Sequence, residues 1–194
     1  MTVADFNEAY RGVPPWEVDM PQPAVVALAE EDAFTGRVLD VGCGTGENSL
    51  YLASRGLSVL GIDAAPAAVA RARGKAAERG LPGEFTVADA FDLGALGRHF
   101  DTVLDSAFLH ILGARGDADR RSAYATQLAL VLPAGGRLHL LQISELTTGE
   151  FPRISRAQIV QTFTDGWALD RIQAAIYATN RGDAPAWLVS LHRR

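Results

Sequence analysis

The stretch Val38-Leu39-Asp40-Val41-Gly42-Cys43-Gly44-Thr45-Gly46-Glu47-Asn48 decides the fold of this chain. Residues 37–41 form a short, largely apolar run, which is typical of a strand buried on both faces of a parallel sheet. Three glycines at alternate positions follow, and residues 49–53 then favour a helix. A strand, a glycine turn and a helix in this order bring the backbone close to a nucleotide-like ligand.

The spacing of the glycines narrows the kind of ligand. A dinucleotide-binding loop requires Gly-x-Gly-x-x-Gly, and its third glycine would stand at Glu47. An acidic side chain there disfavours a pyrophosphate, whereas Asp40 at the end of the strand is placed to attract a cation or an amine. A second predicted strand, residues 56–62, leads to Asp63, roughly 20 residues beyond Gly42, the separation at which a carboxylate meets ribose hydroxyls. The expected ligand therefore has a ribose and an amine or sulfonium, but no phosphates.

S-adenosylmethionine has these features, and at these residues the chain resembles the class I S-adenosylmethionine-dependent methyltransferases. Asp40 among apolar residues, followed by Gly42-Cys43-Gly44-Thr45-Gly46, matches the first motif of that family, and Asp63 follows at the expected distance. The resemblance implies an α/β fold with a doubly wound, seven-stranded, mostly parallel sheet. It implies one domain, residues 1–194, in which residues 1–33 form a helical lid and 34–194 the Rossmann-like core. The alternative is a glycine turn needed only for tight strand–helix packing.

Composition excludes several classes of protein. A formal net charge of −5 without a basic cluster argues against a general binder of nucleic acid or anionic membranes. The N-terminus lacks the layout of a signal peptide and no apolar run spans a membrane, so we expect a cytoplasmic protein. Cys43 is the only cysteine and is expected to pack inside the glycine loop. No His/Cys cluster has metal-ligand spacing, so no metal is expected, and both a monomer and a homodimer stay open.

The segment before the glycine loop indicates which members of this family the chain resembles most. Residues 2–10 favour a short amphipathic helix, and Pro-Pro-Trp-Glu at 14–17 and Pro-Gln-Pro at 21–23 follow it. This combination resembles the thiopurine, thiol and halide methyltransferase group and the small bacterial enzymes that methylate heterocyclic hydroxyl compounds. The resemblance implies that the N-terminal segment folds over the cofactor and that Trp16 packs near its methionine part.

Further strands are expected at residues 84–88, 100–105, 137–143, 167–179 and 186–192, and the resemblance places the last two as an antiparallel edge. It also implies that Asp89 meets the adenine amine, with the backbone of Ala90 beside the ring. The cofactor-binding residues expected in this way are Trp16, Asp40, Gly42, Gly44, Gly46, Asn48, Asp63, Ala64, Asp89, Ala90 and Asp105. The basic residues of the predicted helix that ends near Arg79 are expected to face solvent.

The sequence indicates the residues that would bind the methyl acceptor less clearly than those that would bind the cofactor. His110 follows the strand that ends at Asp105 by one helical turn, and its ordinary pKa suits a general base, with Asp105 or Asp19 as alternatives. A histidine buried under the lid is an equal alternative for His110, and we expect His139 to be a core residue. Residues 144–154 are expected to form a second wall of the substrate site. The candidate substrate contacts are Tyr10, Asp19, Phe108, Phe151 and Arg153.

The resemblance implies methyl transfer to an O, N or S atom of a small aromatic or heterocyclic molecule, which leaves S-adenosylhomocysteine. Ser106-Ala107 departs from the more aromatic sequences of the thiol and halide group, which puts a halide or simple thiol acceptor in doubt. Three alternatives stay open: a thiol, halide or metalloid-oxyanion methyltransferase, a non-catalytic S-adenosylmethionine-binding protein, and a nicotinamide-dependent oxidoreductase, which the glycine spacing disfavours.

Overall fold

A seven-stranded sheet forms the centre of the computed structural model, which describes residues 2–113, 117–148 and 151–194. Its strands are β1 (Arg37–Val41), β2 (Ser58–Asp63), β3 (Glu84–Val87), β4 (Thr102–Ser106), β5 (Arg137–Ile143), β6 (Trp167–Tyr177) and β7 (Ala184–Arg193). Their order across the sheet is β3-β2-β1-β4-β5-β7-β6, and β7 runs antiparallel to both of its neighbours while the other pairs are parallel. The expected doubly wound, mostly parallel sheet and its antiparallel edge are confirmed.

Seven helices accompany these strands in the described residues. They are α1 (Val3–Ala9), α2 (Pro23–Glu30), α3 (Glu47–Ser54), α4 (Pro66–Arg79), α5 (Leu109–Gly113), α6 (Ala118–Val131) and α7 (Arg156–Thr162), and a 3-10 turn spans Leu93–Leu96. Capping boxes begin α1 at Thr2 and α7 at Ser155, where the side chain of each cap accepts a backbone N–H one turn later. None of the helices in the described ranges is long and apolar enough to cross a membrane.

The strand order creates the crevice in which a ligand can bind. In β1, Val38, Leu39 and Val41 are fully buried, as expected for a strand covered on both faces. The order of the parallel strands reverses between β1 and β4, which pair with Val41 beside Asp105. Ligands of open α/β sheets bind at the carboxyl ends of the strands at such a reversal.

The hairpin of β6 and β7 holds the N-terminal segment, defined here as residues 2–22. The side-chain amide of Gln22 donates to the carbonyl of Ala178 at 3.0 Å, and its oxygen accepts from the amide of the same residue at 2.8 Å. Asn180 donates through Nδ2 to the carbonyls of Pro14, at 2.9 Å, and of Glu17, at 3.2 Å. These backbone contacts fix the N-terminal segment across the carboxyl ends of the strands.

Candidate functional site

A cavity of about 470 Å³ lies between the carboxyl ends of the strands and the N-terminal segment. Its volume falls within the range of small-molecule sites, about 300–1,000 Å³. The N-terminal segment covers it from one side, and the loop after β1 and the segment after β4 form its floor. Residues predicted from the sequence that line it are Tyr10, Trp16, Gly42, Gly44, Gly46, Asn48, Asp63, Ala64, Asp89, Ala90, Phe108, His110 and Phe151.

The glycine loop needs glycine for two separate reasons. Gly44 and Gly46 have φ angles of +56° and +88°, which disfavour any residue with a Cβ. A Cβ on Gly44 would also lie 2.8 Å from the hydroxyl of Tyr10, and one on Gly46 would lie 2.8 Å from the ring of Phe85. The loop is therefore a close-packed cradle whose backbone can approach a ligand.

Two acids, one at the end of β2 and one just after β3, are held by backbone amides. Asp63 accepts from the amide of Gly44 at 3.0 Å and from that of Ala65 at 2.8 Å, while burial raises its pKa. Asp89 accepts from the amide of Phe91 at 2.9 Å and stays exposed at the cavity wall. Each carboxylate is thus fixed in direction and keeps room for a further hydrogen-bond donor.

A cluster of charged residues joins the N-terminal segment to the glycine loop. The Lys75 ammonium lies 2.8 Å from Glu47, 3.1 Å from Glu17 and 2.8 Å from the hydroxyl of Thr45, which itself donates to Glu17. Arg79 donates to both oxygens of Glu47, and although burial opposes the change, the hydrogen bonds from Arg79 and Lys75 lower the pKa of Glu47. The prediction that the basic residues of α4 only face solvent is therefore wrong for Lys75.

Aromatic side chains of the N-terminal segment pack against each other inside the cavity. The indole of Trp16 donates to the hydroxyl of Tyr10 at 3.0 Å, and its ring meets that of Phe6 edge-on at 5.8 Å. Asn48 accepts from the amide of Gln22 at 2.8 Å, which ties the segment to α3. Trp16 and Asn48 thus lie where a ligand of the cavity would contact them.

Asp40 does not line the cavity, which corrects its predicted contact with a ligand. The side chain is 1% exposed and accepts from the hydroxyl of Ser49 at 2.6 Å. Burial raises its pKa to about 7. Asp40 supports the first turn of α3 from beneath the glycine loop.

Asp105 is likewise absent from the cavity wall, which corrects its predicted roles in cofactor binding and catalysis. Its carboxylate accepts hydrogen bonds from the amides of Phe108 and Leu109, the Tyr124 hydroxyl and the Gln142 side chain. Burial raises its pKa to about 6. The next-but-one residue, Ala107, has a φ of +79°, a conformation that costs a residue with a Cβ about 1–3 kcal/mol. Asp105 therefore fixes this strained turn and, through it, the direction of the residues after β4.

His110 lines the cavity but lacks the ordinary acidity that the sequence suggested. It is 5% exposed, and burial lowers its pKa to about 4. Its backbone amide donates to the Gln142 side chain at 2.9 Å, and its Nδ1 is buried without a hydrogen-bond partner. His139, by contrast, lies within the sheet between Ser190 and the carbonyl of Ala33, so its assignment to the core is confirmed.

Two predicted substrate contacts lie away from the cavity wall. The side chain of Asp19 is 89% exposed, and Arg153 donates to the carbonyl of Thr147 at 2.7 Å. Residues 151 and 152 do line the cavity, which agrees with the expected second wall, although residues 149 and 150 of that stretch lie outside the described residues.

Several lining residues were not predicted from the sequence. Among them are Phe6, Met20, Gln22, Phe91, Ser106, Ile111, Arg120, Tyr177 and Thr179. Phe91 directly follows the predicted pair Asp89-Ala90, and its ring carries the guanidinium of Arg120 at 4.7 Å from the ring centre. Tyr177 and Thr179 enter the cavity only because β6 and β7 fold back onto the N-terminal segment, and no local pattern signals that.

A family model described as a methyltransferase domain matches residues 38–136 of the chain. A 2-heptyl-1-hydroxyquinolin-4(1H)-one methyltransferase of Mycobacteroides abscessus is 32% identical over 192 residues, covering 91% of this chain and 82% of the relative. A solved structure from a study of the conversion of a disulfide bond into a thioacetal group during echinomycin biosynthesis has a TM-score of 0.89 and 34% identity. It covers 100% of this chain and 92% of that one.

A structure of magnesium protoporphyrin IX methyltransferase from Synechocystis PCC 6803 with bound S-adenosylmethionine is also similar, with a TM-score of 0.66 and 26% identity. It covers 88% of this chain and 76% of that one. In this chain, the glycine cradle, the Asp63 carboxylate and the absence of a phosphate-binding pattern fit that cofactor. Within the described ranges, no group of three His, Cys, Asp or Glu residues could hold a metal ion.

Proposed function

Because the chain belongs to the class I S-adenosylmethionine-dependent methyltransferases, we propose that it methylates a hydroxyl oxygen of a small aromatic heterocycle. The family fixes the reaction class: the protein is an S-adenosylmethionine-dependent methyltransferase, EC 2.1.1.-. S-adenosylmethionine supplies a methyl group that its sulfonium already activates. The task of the protein is therefore to align two reactants and to exclude water, which lowers a barrier by up to about 10 kcal/mol in favourable cases.

The residues proposed to hold the cofactor form what we name the cofactor side of the cavity. Asp63 accepts from the ribose hydroxyls, and Asp89 with the backbone of Ala90 meets the adenine. The glycine loop allows the methionine part to lie close to the backbone, and Asn48 and Trp16 close this part of the cavity. The support is that all of these residues line one cavity and that the carboxylates of Asp63 and Asp89 retain acceptor capacity.

The single observation that supports an aromatic heterocycle as the methyl acceptor is the aromatic lining of the cavity. Rings come from five separate parts of the chain, and we name the lining residues that are not among the proposed cofactor residues the acceptor side. The lining aromatic residues are Phe6, Tyr10, Trp16, Phe91, Phe108, Phe151 and Tyr177. Faces and edges of such rings favour a flat aromatic guest by about 0.5–1.5 kcal/mol per ring pair beyond burial alone. The hydroxyquinolinone acceptor in the name of the Mycobacteroides abscessus relative is a molecule of this shape.

A sulfur acceptor is the second candidate. The observation that favours it is the similarity, over the full length of this chain, to the structure connected with thioacetal formation in echinomycin. A sulfur atom attached to a flat ring system would suit the same aromatic lining, whereas a simple thiol or a halide has no ring to stack against it.

The test is turnover with methyl-labelled S-adenosylmethionine and a divided set of acceptors. One half contains hydroxyquinolines, hydroxyquinolinones and phenols, and the other contains aromatic thiols, small thiols, iodide and tellurite. We expect label on the ring hydroxyls. Label on thiols alone would establish the second candidate instead, and no label anywhere, with the cofactor bound in calorimetry, would refute both.

A further inference from the structure

The cavity offers few groups that can accept a proton from a bound acceptor. Glu17 and Glu47 are paired with Lys75, and Asp63 and Asp89 are bound to backbone amides on the cofactor side. Asp105 and Asp19, the carboxylates suggested by the sequence, are not at the wall. Among the described residues, His110 is therefore the one on the acceptor side whose side chain is of a type suited to this task.

The surroundings of the His110 ring disfavour a proton on Nδ1. That nitrogen is buried without a hydrogen-bond partner of good geometry, and although the nearby Gln142 side chain raises the pKa of His110, burial outweighs it, so an N–H group there would lose its water for little return. An unfilled lone pair in the same place is tolerated better than an unpaired N–H. The favoured neutral tautomer therefore carries its proton on Nε2, the other ring nitrogen of a residue that lines the cavity. A second proton would have to enter at Nδ1, and burial accordingly lowers the pKa of His110 to about 4.

No ion pair with a carboxylate of the described residues offsets the cost of a buried imidazolium at His110, whose pKa is lowered mainly by burial. The elements that pack near α5 are β4, β5, α6 and the segment that contains Ile154. Their ionisable side chains among the described residues are Asp105, Asp117, Asp119, Arg120, Arg121, Tyr124, Arg137, His139 and Arg153. The carboxylate of Asp105 is bound to its own donors, and Asp117 and Asp119 lie at the start of α6, where Asp117 caps the helix. Arg120 lines the cavity, and its guanidinium has no carboxylate partner among the described residues, so it favours an anion there.

We propose that His110 is a neutral hydrogen-bond donor, and that the acceptor is an acidic heteroaryl hydroxyl that enters the cavity already as its anion. This inference rests on the proposed function and narrows its substrate class. A lone pair of the acceptor oxygen forms the new oxygen–carbon bond while the carbon–sulfur bond breaks and its electron pair stays on sulfur. The negative charge of the acceptor and the positive charge of the sulfonium cancel, so no proton has to be taken up by the protein.

The first experiment measures kcat/KM against pH for substituted hydroxyquinolines of equal size whose ring hydroxyls have pKa values from about 5 to about 9. We expect each profile to rise with the pKa of its own acceptor. A rise at one pKa that all acceptors share, and that is lost in His110→Gln, would identify a general base and overturn the inference. Failure of every ring hydroxyl to react would instead refute the proposed function, so the two failures are distinguishable.

The second experiment separates a donor from a base through the His110 side chain. His110→Gln keeps an N–H donor of similar reach, and we expect kcat/KM within about 10-fold of the wild type. His110→Leu removes the donor and is expected to lower kcat/KM by about 10–100-fold, the range for one hydrogen bond to a charged group. Affinity for S-adenosylhomocysteine, measured by calorimetry, should stay unchanged in both variants, which also reports correct folding. His139→Gln serves as the control. Equal losses in the Gln and Leu variants would overturn the donor role.

A third measurement does not depend on activity. Long-range ¹⁵N–¹H NMR of the protein bound to S-adenosylhomocysteine reports the tautomer of each histidine. We expect His110 to be neutral at pH 7 with its proton on Nε2. A doubly protonated ring, or a proton on Nδ1 alone, would refute the inference whatever the turnover assays give.

Discussion

The glycine loop of the cofactor side lies within one continuous strand–turn–helix unit, residues 37–54, whereas the acceptor side is assembled from segments far apart in the chain. In the first region, the backbone between β1 and α3 permits only glycine at Gly44 and Gly46. In the second, residues such as His110, Phe151 and Tyr177 meet only after the sheet has formed. The two regions therefore differ in what holds them: backbone conformation in one and side-chain contacts in the other. Substitutions in the two regions should therefore differ in how they change stability and ligand binding.

The largest effect is expected for Gly46→Ala. The φ of +88° alone costs about 1–2 kcal/mol for a residue with a Cβ, and the clash with Phe85 adds about 1–3 kcal/mol of overpacking. Urea unfolding should show this sum as lost stability, and calorimetry should show weakened S-adenosylmethionine binding.

Gly56→Ala is the matched control for this prediction. Gly56 has the same φ of +88°, and a Cβ on it would meet no atom within 4 Å. The Gly56→Ala variant should therefore lose only the stability that a positive φ costs a residue with a Cβ, and it should keep its affinity for the cofactor. Equal loss of stability in the two variants would show that backbone conformation, and not close packing, dictates glycine in the loop.

A somewhat smaller effect is expected for Asp63→Ala. The substitution removes the acceptor for the amides of Gly44 and Ala65 together with the proposed contact to the ribose. Hydrogen bonds to a charged group contribute about 1.5–3 kcal/mol, so S-adenosylmethionine should bind about 10–100-fold more weakly in calorimetry.

Asp101→Ala provides the comparison for Asp63. Asp101 also accepts a backbone amide, that of Arg37 at 2.7 Å, but near the amino end of β1. Its loss should lower the free energy of unfolding and leave cofactor affinity unchanged. A drop in affinity as large as that of Asp63→Ala would mean that carboxylates act on binding through general stability only.

The contrast between the two regions also explains what the sequence could and could not predict. Gly42, Gly44, Gly46 and Asp63 were found because they follow from the local requirements of a turn and from one fixed separation along the chain. The role of Asp105 was predicted incorrectly, because the same position at a strand end can turn a carboxylate toward a ligand or toward the core. The turn at Ala107, with its φ of +79°, decides this, and no spacing rule reports it.

Lys75 shows the same limit for charged residues. The helical pattern of the sequence does not distinguish Lys75 from any solvent-exposed lysine. Its ammonium nevertheless donates hydrogen bonds to Glu17, Thr45 and Glu47, which lie far from it in the chain. The sheet, its order and its antiparallel edge were predictable because each strand carries its own apolar pattern and turn signals. Which side chains meet across the cavity depends on tertiary contacts that no single segment encodes.

An effect of the opposite sign, a gain in stability, is expected for Asp40→Asn. The pKa of Asp40 rises from 3.8 to about 7 in the folded protein, so its contribution to stability is present below about pH 4 and is lost as the pH rises toward 7. The asparagine variant can still accept a hydrogen bond from the Ser49 hydroxyl, but its stability should not fall in this way as the pH rises. At pH 8 it should be more stable by up to about 4 kcal/mol, since the shift is about three pKa units and one unit corresponds to about 1.4 kcal/mol.

The measurement is urea unfolding from pH 4 to pH 8. The two proteins should have similar stability at pH 4, where Asp40 is protonated in the folded wild type, and should diverge above it. Asp105, whose pKa is also raised, to about 6, should make the free energy of unfolding fall with pH to some extent in both proteins. A variant that is less stable at every pH would show that the Asp40 carboxylate is needed for packing in its charged form.

The smallest effect tests whether contacts to Lys75 hold the N-terminal segment over the acceptor side. Glu17 and Asp19 lie 3.1 and 3.4 Å from the same ammonium, but their side chains are 11% and 89% exposed. Exposed pairs contribute about 0–1 kcal/mol and are screened by salt, whereas buried pairs are screened much less. Glu17→Gln should therefore raise the Kd for S-adenosylmethionine and the KM for the acceptor by about 3–10-fold, and Asp19→Asn should change neither.

Salt separates this explanation from a general effect of lost negative charge. Both substitutions remove one charge from the same segment, so a long-range electrostatic effect on the sulfonium would appear in both and would fade between 50 mM and 500 mM NaCl. A local contact through Lys75 would appear in Glu17→Gln alone and would persist at high salt. Since Lys75 also binds Thr45 and Glu47 on the cofactor side, persistence would show that the acceptor side is held in place by the backbone-defined region beneath it.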